Sequence, residues 1–455
     1  MNENLVEHYR CAESLIALQS PGSLERTPGY FRFGPDAICY GQCSAGVSRK
    51  FAKNGLPDAL EHSITNGLGV RLPFDPDQVC NNLRLERYLA TSGNNQGPMD
   101  PWPLARDLYY FLRPAIPAGL RKHLQILYLR SWDKIAFPNW PVDTTVEKLF
   151  GRLLALSMKA LKIDQVPFIW FWPEEFLSCA ILTHDVETSR GRDFCQQLMD
   201  LDDSFGIKAS FQIVPEGRYK VPDHFLDSIR QRQFELNIQD LNHDGQLFRS
   251  RKQFIQRMER INQYAKAYGA KGFRSAVLYR NVDWYDQVHF PYDMSIPNVA
   301  HLEAQKGGCC TVFPYFIGDV LELPVTTTQD YALFTFLKDY SIELWKAQIK
   351  TIMENYGLIS LIVHPDYIQD RKPQEIYRML LAQLCDLRSR GHLWIVQPGE
   401  VNRWWRERSQ MRLVESNGSW TILGPGSARA RVARAVLDGD SVRYMFDARG
   451  PHSRK

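Results

Sequence analysis

The sequence predicts an α/β protein, a β/α barrel or doubly wound sheet carrying further segments at both ends. Three observations predict it. Over about 220 residues, from Cys179 to Trp394, short apolar runs of strand length alternate with amphipathic helix patterns. The polar residues of this stretch gather just after the apolar runs, at the C-terminal strand ends where β/α folds build their sites. At 455 residues, 44% of them hydrophobic and 23% charged, the chain is an ordinary globular protein, long enough for a large core and for more than one domain.

The elements follow in order. Residues 1 to about 100 carry frequent turn signals, among them Pro21-Gly22, Gly34-Pro35 and Gly93-Asn-Asn-Gln-Gly97-Pro98, and no sustained apolar period, so this part is expected to be loop-rich and to wrap a core. Helices are expected over Pro103–Arg113, Pro117–Arg130 and Thr144–Leu161. The second has a basic face that fits a solvated surface better than an anionic membrane. The barrel strands are expected at Cys179–His184, Ile207–Val214, Phe234–Gln239, Gly272–Ser275, Val320–Pro324, Leu358–His364 and Leu393–Val396. Helices between them are expected at Gly191–Phe205, Pro222–Gln231, Lys252–Tyr268, Ser341–Tyr356 and Pro373–Arg390. From 411 onward a small β-rich tail is read around the Asn417-Gly418 turn, with a short helix at Ala428–Leu437 and a frayed basic end. The resulting division is 1–170, an N-terminal addition; 171–405, the barrel; and 406–455, the tail.

The net charge of +4 on this length excludes a nucleic-acid surface as an expectation. The start has no basic and apolar leader, and no run of 18 apolar residues occurs, so a cytoplasmic protein without a membrane span is expected. The nine cysteines are odd in number and show no paired CxxC spacing, which fits reduced, buried thiols.

Chemistry concentrates at the strand ends. In Thr183-His184-Asp185-Val186-Glu187 a strand's period of two aims both acids to one side and His184 to the other. Paired acids at a barrel mouth can divide between proton acceptor and metal ligand. The third strand continues as Gln239-Asp240-Leu-Asn-His243-Asp244, where His243 is a good metal ligand and Gln239 offers only a neutral amide oxygen. The fourth strand ends in Arg274, a fixed cation able to hold a carboxylate. Val363-His364-Pro365 places an imidazole at the end of an apolar strand, in position for a general acid. Each of these, taken alone, is as readily a capped strand end, a hydrogen-bonded loop residue, an ion pair or a buried imidazole.

Taken in order, Thr183-His-Asp185-Val-Glu187, Asp240-Leu-Asn-His243-Asp-Gly, Gly272-Phe-Arg274 and Leu361-Ile-Val-His364-Pro resemble the polysaccharide deacetylase family, the NodB-homology group, over about residues 179 to 402. The resemblance implies a distorted (β/α) barrel that removes N- or O-acetyl groups from a carbohydrate with one divalent metal, usually zinc. It implies Asp185 as base, Arg274 as the residue that orients it, His364 as the acid for the leaving group, and Glu187, Gln239 and His243 at the metal. Two departures stand out: Glu187 occupies a place usually held by Asp, and Gln239 one usually held by His. A set of Glu, Gln and His binds zinc more weakly than one with two imidazoles. Three readings follow: a metal-assisted deacetylase, a carbohydrate-binding or assembly protein on the same barrel without turnover, and a hydrolase of a non-sugar amide. Tyr279, Asn281 and Trp284, with Tyr292 and Asp293, follow the fourth strand and are expected to line the substrate cleft. The aromatic stretches Phe168–Pro173 and Trp404-Trp405 are expected to form a packed seam.

Overall fold

The computed structural model describes residues 2–24, 26–51, 55–67, 69–89, 129, 131–416 and 418–446. The helix expected at Pro103–Arg113, all of the one expected at Pro117–Arg130 but Leu129, with the second's basic face, and the basic C-terminal end lie outside them. The chain divides into two compact units: Met1–Ser92, Thr144–Phe176 and Arg403–Lys455 form one, and Gly93–Asp143 with Leu177–Asn402 the other.

The first unit is richer in regular structure than its turn-dense sequence suggests. Antiparallel strands Gly29–Arg32 and Ile38–Gly41 pair with each other, and Leu18–Gln19, Gly69–Arg71 and Ile64–Asn66 make a three-stranded sheet. Helix Pro76–Arg84 starts at Asp75, whose carboxylate accepts from the N–H groups of Asp77 and Gln78. Strands of two to four residues are too short to show a period, which is why this region reads as loop. Thr145–Leu161 is the long helix expected. The region expected as a short helix at Ala428–Leu437 is instead strand Val432–Asp438, laddered to Gln165–Ile169 on one side and Ser441–Phe446 on the other. Ala433 and Ala435 face inward on it, both fully buried. Two ladders outweigh alanine's local preference for helix. That pairing places the tail in the same unit as the stretch before residue 177. The aromatic stretches pack here as a seam: Trp404 Nε1 donates to Phe171 O at 2.8 Å, and the rings of Trp172 and Trp405 lie 5.3 Å apart. Eight of the nine cysteines are buried.

The second unit is a curled, mostly parallel sheet with helices between its strands. In chain order it runs β1 (Ser178–Val186), α1 (Ser189–Ser204), β2 (Ser210–Ile213), α2 (Asp223–Gln231), β3 (Glu235–Gln239), α3 (Arg251–Tyr268), β4 (Gly272–Arg274), β5 (Tyr292–Asp293), β6 (Tyr315–Ile317), β7 (Val320–Glu322), α4 (Glu343–Glu354), β8 (Leu358–Ile362), α5 (Arg371–Ser389) and β9 (Leu393–Ile395). The strand order is β6-β7-β5-β4-β3-β2-β1-β8, with β9 beside the start of β1. Only the β6–β7 pair is antiparallel. The expected elements recur with ends shifted by a few residues, and Gly269 closes α3 in the left-handed conformation, φ 64°. Between β7 and β8 the barrel closes through hydroxyls rather than a ladder. Thr326 Oγ1 donates to Leu358 O at 2.7 Å and accepts from Ser360 N at 2.9 Å, and Thr327 Oγ1 donates to Ser360 O at 2.8 Å. This is the distorted β/α barrel expected. Among the described residues no helix is long and apolar enough to cross a membrane.

Gly307-Gly308 is a tight backbone passage, because a Cβ on Gly308 would stand 2.2 Å from Asn298 O at φ 146°.

Candidate active site

All nine residues of β1 are buried. Its first half pairs with β8 and its second with β2, so it lies inside the sheet and delivers its last residues to the C-terminal mouth. The two-residue period sends Thr183 and Asp185 to the interior and His184 outward. His184 accordingly meets Val363 O at 3.0 Å through Nδ1 and Asp202 Oδ2 at 2.9 Å through Nε2, and Tyr377 donates to the other oxygen of Asp202 at 2.6 Å. These contacts tie α1 and α5 to β1, and they keep His184 out of the site.

Glu187 sits one step past the strand. Arg218 Nε donates to its carbonyl at 3.0 Å, and Tyr219 OH donates to Val186 O at 2.8 Å, which fixes the turn. Thr188 then caps α1 by accepting from Gly191 N at 3.1 Å, and its hydroxyl donates to Asp366. On β3 and β4, Gln239 stands in register opposite Arg274, and Asp240 N donates to Arg274 O at 2.8 Å. Both side chains therefore enter the barrel beside Asp185. After Gln239 the chain turns sharply, with Asp240 and His243 at φ 52° and 54°, a left-handed conformation that non-glycine residues hold at a cost of about 1–3 kcal/mol each. The turn brings His243 back to Glu187.

The contacts at the mouth are short. Arg274 Nη1 donates to Asp185 Oδ1 at 2.6 Å and to Thr183 Oγ1 at 2.8 Å, while its Nε donates to Met294 O at 3.0 Å. Both members of this ion pair are buried. His243 Nε2 lies 2.7 Å and His364 Nε2 3.6 Å from Glu187 Oε1. His364 is braced by Asp330, whose carboxylate takes the imidazole Nδ1 at 2.6 Å and the His364 backbone N–H at 2.8 Å. Burial alone would raise the Glu187 carboxyl, but the adjacent imidazoles of His243 and His364 outweigh it and hold the group well below the usual range. Burial likewise opposes the charged form of His364, and Asp330 with Glu187 outweighs it, so this imidazole titrates well above 6.5.

These groups open onto a cavity of about 510 Å³. Asp185, Glu187, Gln239, His243 and His364 line it together, and Arg274 lies just behind Asp185. Asp185, Glu187 and His364 each offer one atom within 4.8 Å of the others, an acid-and-imidazole cluster of the kind that can hold a cation. The set expected to hold zinc is a different matter. Gln239 turns Nε2, which bears hydrogens and no lone pair for a metal, toward Asp185 Oδ2 at 3.0 Å and Glu187 Oε1 at 3.2 Å. Its Oε1 is buried without a hydrogen-bond partner. Gln239 is thus placed as a donor to the acids, not beside them as a ligand, and the trio of Glu187, Gln239 and His243 does not fit zinc.

None of the residues expected to line the substrate cleft is on the cavity wall. Tyr292 is fully buried on β5, its hydroxyl donating to Asn237 Oδ1 at 3.0 Å. Asp293 is buried beside Glu322 and accepts from Tyr285 OH at 2.7 Å and Ser295 Oγ at 2.6 Å. Trp284 packs on Phe248 and Phe254, with ring centroids 6.1 and 5.6 Å away. Asn281 caps the next turn by accepting from Asp283 N at 3.2 Å, and Tyr279 lies half-buried away from the wall. The segment after β4 folds against α3, so its aromatic rings serve packing.

The wall comes instead from residues the sequence did not single out. Tyr331, Phe336 and Tyr367 supply its rings, with Tyr331 centred 5.0 Å from each of the other two. Glu303 and Gln329 supply a polar corner, Gln329 Nε2 donating to Glu303 Oε2 at 2.8 Å. Asp366 and Tyr367 directly follow the His364-Pro365 pair, and that adjacency was the available signal. Glu303 lies in an irregular passage and Asp330 and Tyr331 at the start of the short helix Ala332–Leu337, and they carry none.

No known family profile matches the sequence, and no curated protein does. Solved structures do resemble about half of the chain. A protein described as a polysaccharide deacetylase from Mycobacterium smegmatis shares 18% identity over 52% of this chain and 93% of its own, with a TM-score of 0.43. Puue allantoinase shares 13% over 52% of this chain and 92% of its own, with a TM-score of 0.40. The peptidoglycan deacetylase PdaC from Bacillus subtilis shares 13% over 50% and 93%, with a TM-score of 0.33. Likeness at this level concerns the course of the backbone and assigns no activity to this chain.

Proposed function

We propose that this cavity hydrolyses an acetyl group from a carbohydrate, as an amide or an ester. The observation that carries the reading is a braced acid–base pair: Asp185 held by Arg274 at 2.6 Å, and His364 held by Asp330 at 2.6 Å, on either side of Glu187 in one cavity. The order of the four motifs in the sequence supports the acetylated sugar as the substrate class, and the rings of Tyr331 and Tyr367 offer it a face to stack on.

In this reading Asp185 takes a proton from water as the water oxygen bonds to the acetyl carbonyl carbon. Arg274 holds the carboxylate at 2.6 Å and aims it. The two imidazoles beside Glu187 meet the charge that develops on the carbonyl oxygen. The bond from carbon to the sugar nitrogen or oxygen then breaks, its electron pair goes to the leaving atom, and His364 supplies that atom's proton. Acetate and a free amine or hydroxyl are the products.

Asp185→Asn tests this. Acetate release from acetylated oligosaccharides is expected to fall by on the order of 10²–10⁴-fold, the usual contribution of a general base, with the fold unchanged by circular dichroism. Undiminished turnover in that variant would sink the assignment. The Gln239 contacts favour one competing reading, a carbohydrate-binding protein on this barrel without turnover. Sugar binding without acetate release in the unsubstituted chain would select it.

A further inference from the structure

Asp185 and Glu187 bring two carboxylates to one strand end, the first buried and the second half-buried, and like charges this close are stabilised by a cation or a shared donor between them. The shared donor here is an amide. Gln239 Nε2 lies 3.0 Å from Asp185 Oδ2 and 3.2 Å from Glu187 Oε1, and an NH₂ group carries one hydrogen for each. The amide is held in place: Gln239 is 1% exposed, its strand is registered against β4, and the backbone bond from Asp240 N to Arg274 O fixes the step after it. The remaining oxygen of Asp185 is taken by Arg274, and His243 closes on Glu187. Both acids are thus provided for by side chains of the protein.

We propose that the Gln239 amide stands in for a resident metal ion, bridging the two acids, and that the site hydrolyses its substrate with no metal bound. The proposal deepens the hydrolase reading and rests on it. For Gln239 to serve as a ligand, its amide would turn over to present Oε1. Both bonds to the acids would be lost, and the donor gained is a neutral oxygen that zinc ranks below imidazole. His243 would then be the one imidazole of the expected set.

The test uses the full chain, dialysed first against a chelator, then against zinc chloride, then against metal-free buffer. Zinc per chain is measured by elemental mass spectrometry, affinity by titration calorimetry, and melting temperature with and without zinc. The unsubstituted chain is expected to retain far less than one zinc per chain and to melt at the same temperature in zinc and in chelator. Gln239→His, which sets a second imidazole beside His243 and Glu187, is expected to retain close to one zinc per chain. Its binding should be tighter by at least about 100-fold, the upper end of what a single partner of a metal site contributes, and zinc should raise its melting temperature. An unsubstituted chain that keeps one zinc through dialysis and melts higher with it overturns the proposal, whether or not the variant folds. The same samples separate this proposal from the reading beneath it. Zinc-free wild type that releases no acetate refutes hydrolysis and leaves the bridge; acetate release lost in chelator and restored by zinc refutes the bridge and leaves hydrolysis.

Discussion

Replacing Arg274 with methionine removes one half of a fully buried ion pair and tests whether that pair holds the site. Arg274 is 0% exposed and Asp185 3%. The substitution deletes the 2.6 Å bond to Asp185 and leaves Thr183 Oγ1 and Met294 O without the donors they now meet at 2.8 and 3.0 Å. Breaking a buried pair from one side costs about 3–5 kcal/mol, because the surviving charge stays in a poorly solvated place. Gln239 still donates to Asp185, so the lower half of that range, about 3 kcal/mol, is expected for Arg274→Met. Asp185→Asn removes the other charge, and the double variant leaves no charge uncompensated. The two losses should therefore not add, with a coupling of about 1–3 kcal/mol between neighbours in one network. Urea unfolding followed by tryptophan fluorescence and circular dichroism measures all four corners of the cycle. A loss below about 1 kcal/mol in Arg274→Met, or a double variant that loses the sum of the singles, would refute the argument that this pair carries a buried charge balance.

Further outcomes follow from the same geometry. Asp330→Asn removes the first group that raises His364 above 6.5, so the imidazole loses its proton at lower pH; the alkaline limb of the acetate-release profile should move down in pH, and an unmoved limb would remove His364 as the acid. Burial and the adjacent Asp293 raise the Glu322 carboxyl well above its ordinary value. A carboxyl raised in the folded state contributes its stability in full below its unfolded value and loses it as pH rises through the folded one. Glu322→Gln should thus flatten the decline in melting temperature as pH rises above the ordinary carboxyl range, and an identical decline in both proteins would contradict the buried acid pair. Trp284→Ala should lower stability by about 2 kcal/mol through its lost packing on Phe248 and Phe254 and leave KM unchanged, whereas Tyr331→Ala on the cavity wall should raise KM. A KM effect at Trp284 with none at Tyr331 would restore the cleft expected from the sequence.

The barrel was legible because its signals are local. Strands such as Leu358–Ile362 are continuous apolar runs, since parallel strands are covered on both faces, and the helices between them carry a clear helical period. The side on which Asp185, Glu187 and His184 emerge follows from the two-residue period of one strand, and the structure keeps all three where that period sends them. The first unit was less legible, because strands of a few residues, and a strand rich in alanine at 432–438, take their form from partners far away in sequence. The aromatic loop after β4 misled for a related reason: Trp and Tyr suit packing and sugar stacking equally, and only the position of α3 decides between them.

By itself the sequence determined seven of the nine barrel strands in chain order, the residues at their ends and the family these resemble, since each is written in nearest-neighbour pattern or spacing; the short strands Tyr292–Asp293 and Tyr315–Ile317 carried no such pattern. Tertiary structure alone decided what those residues do to one another. Asp330 meets His364 across 34 residues, and Tyr331 becomes cavity wall, at the start of the short helix that follows β7. Gln239 is the sharpest case: as a residue type it offers an amide oxygen or an amide nitrogen with equal ease, and two carboxylates placed against it by β1 select the nitrogen.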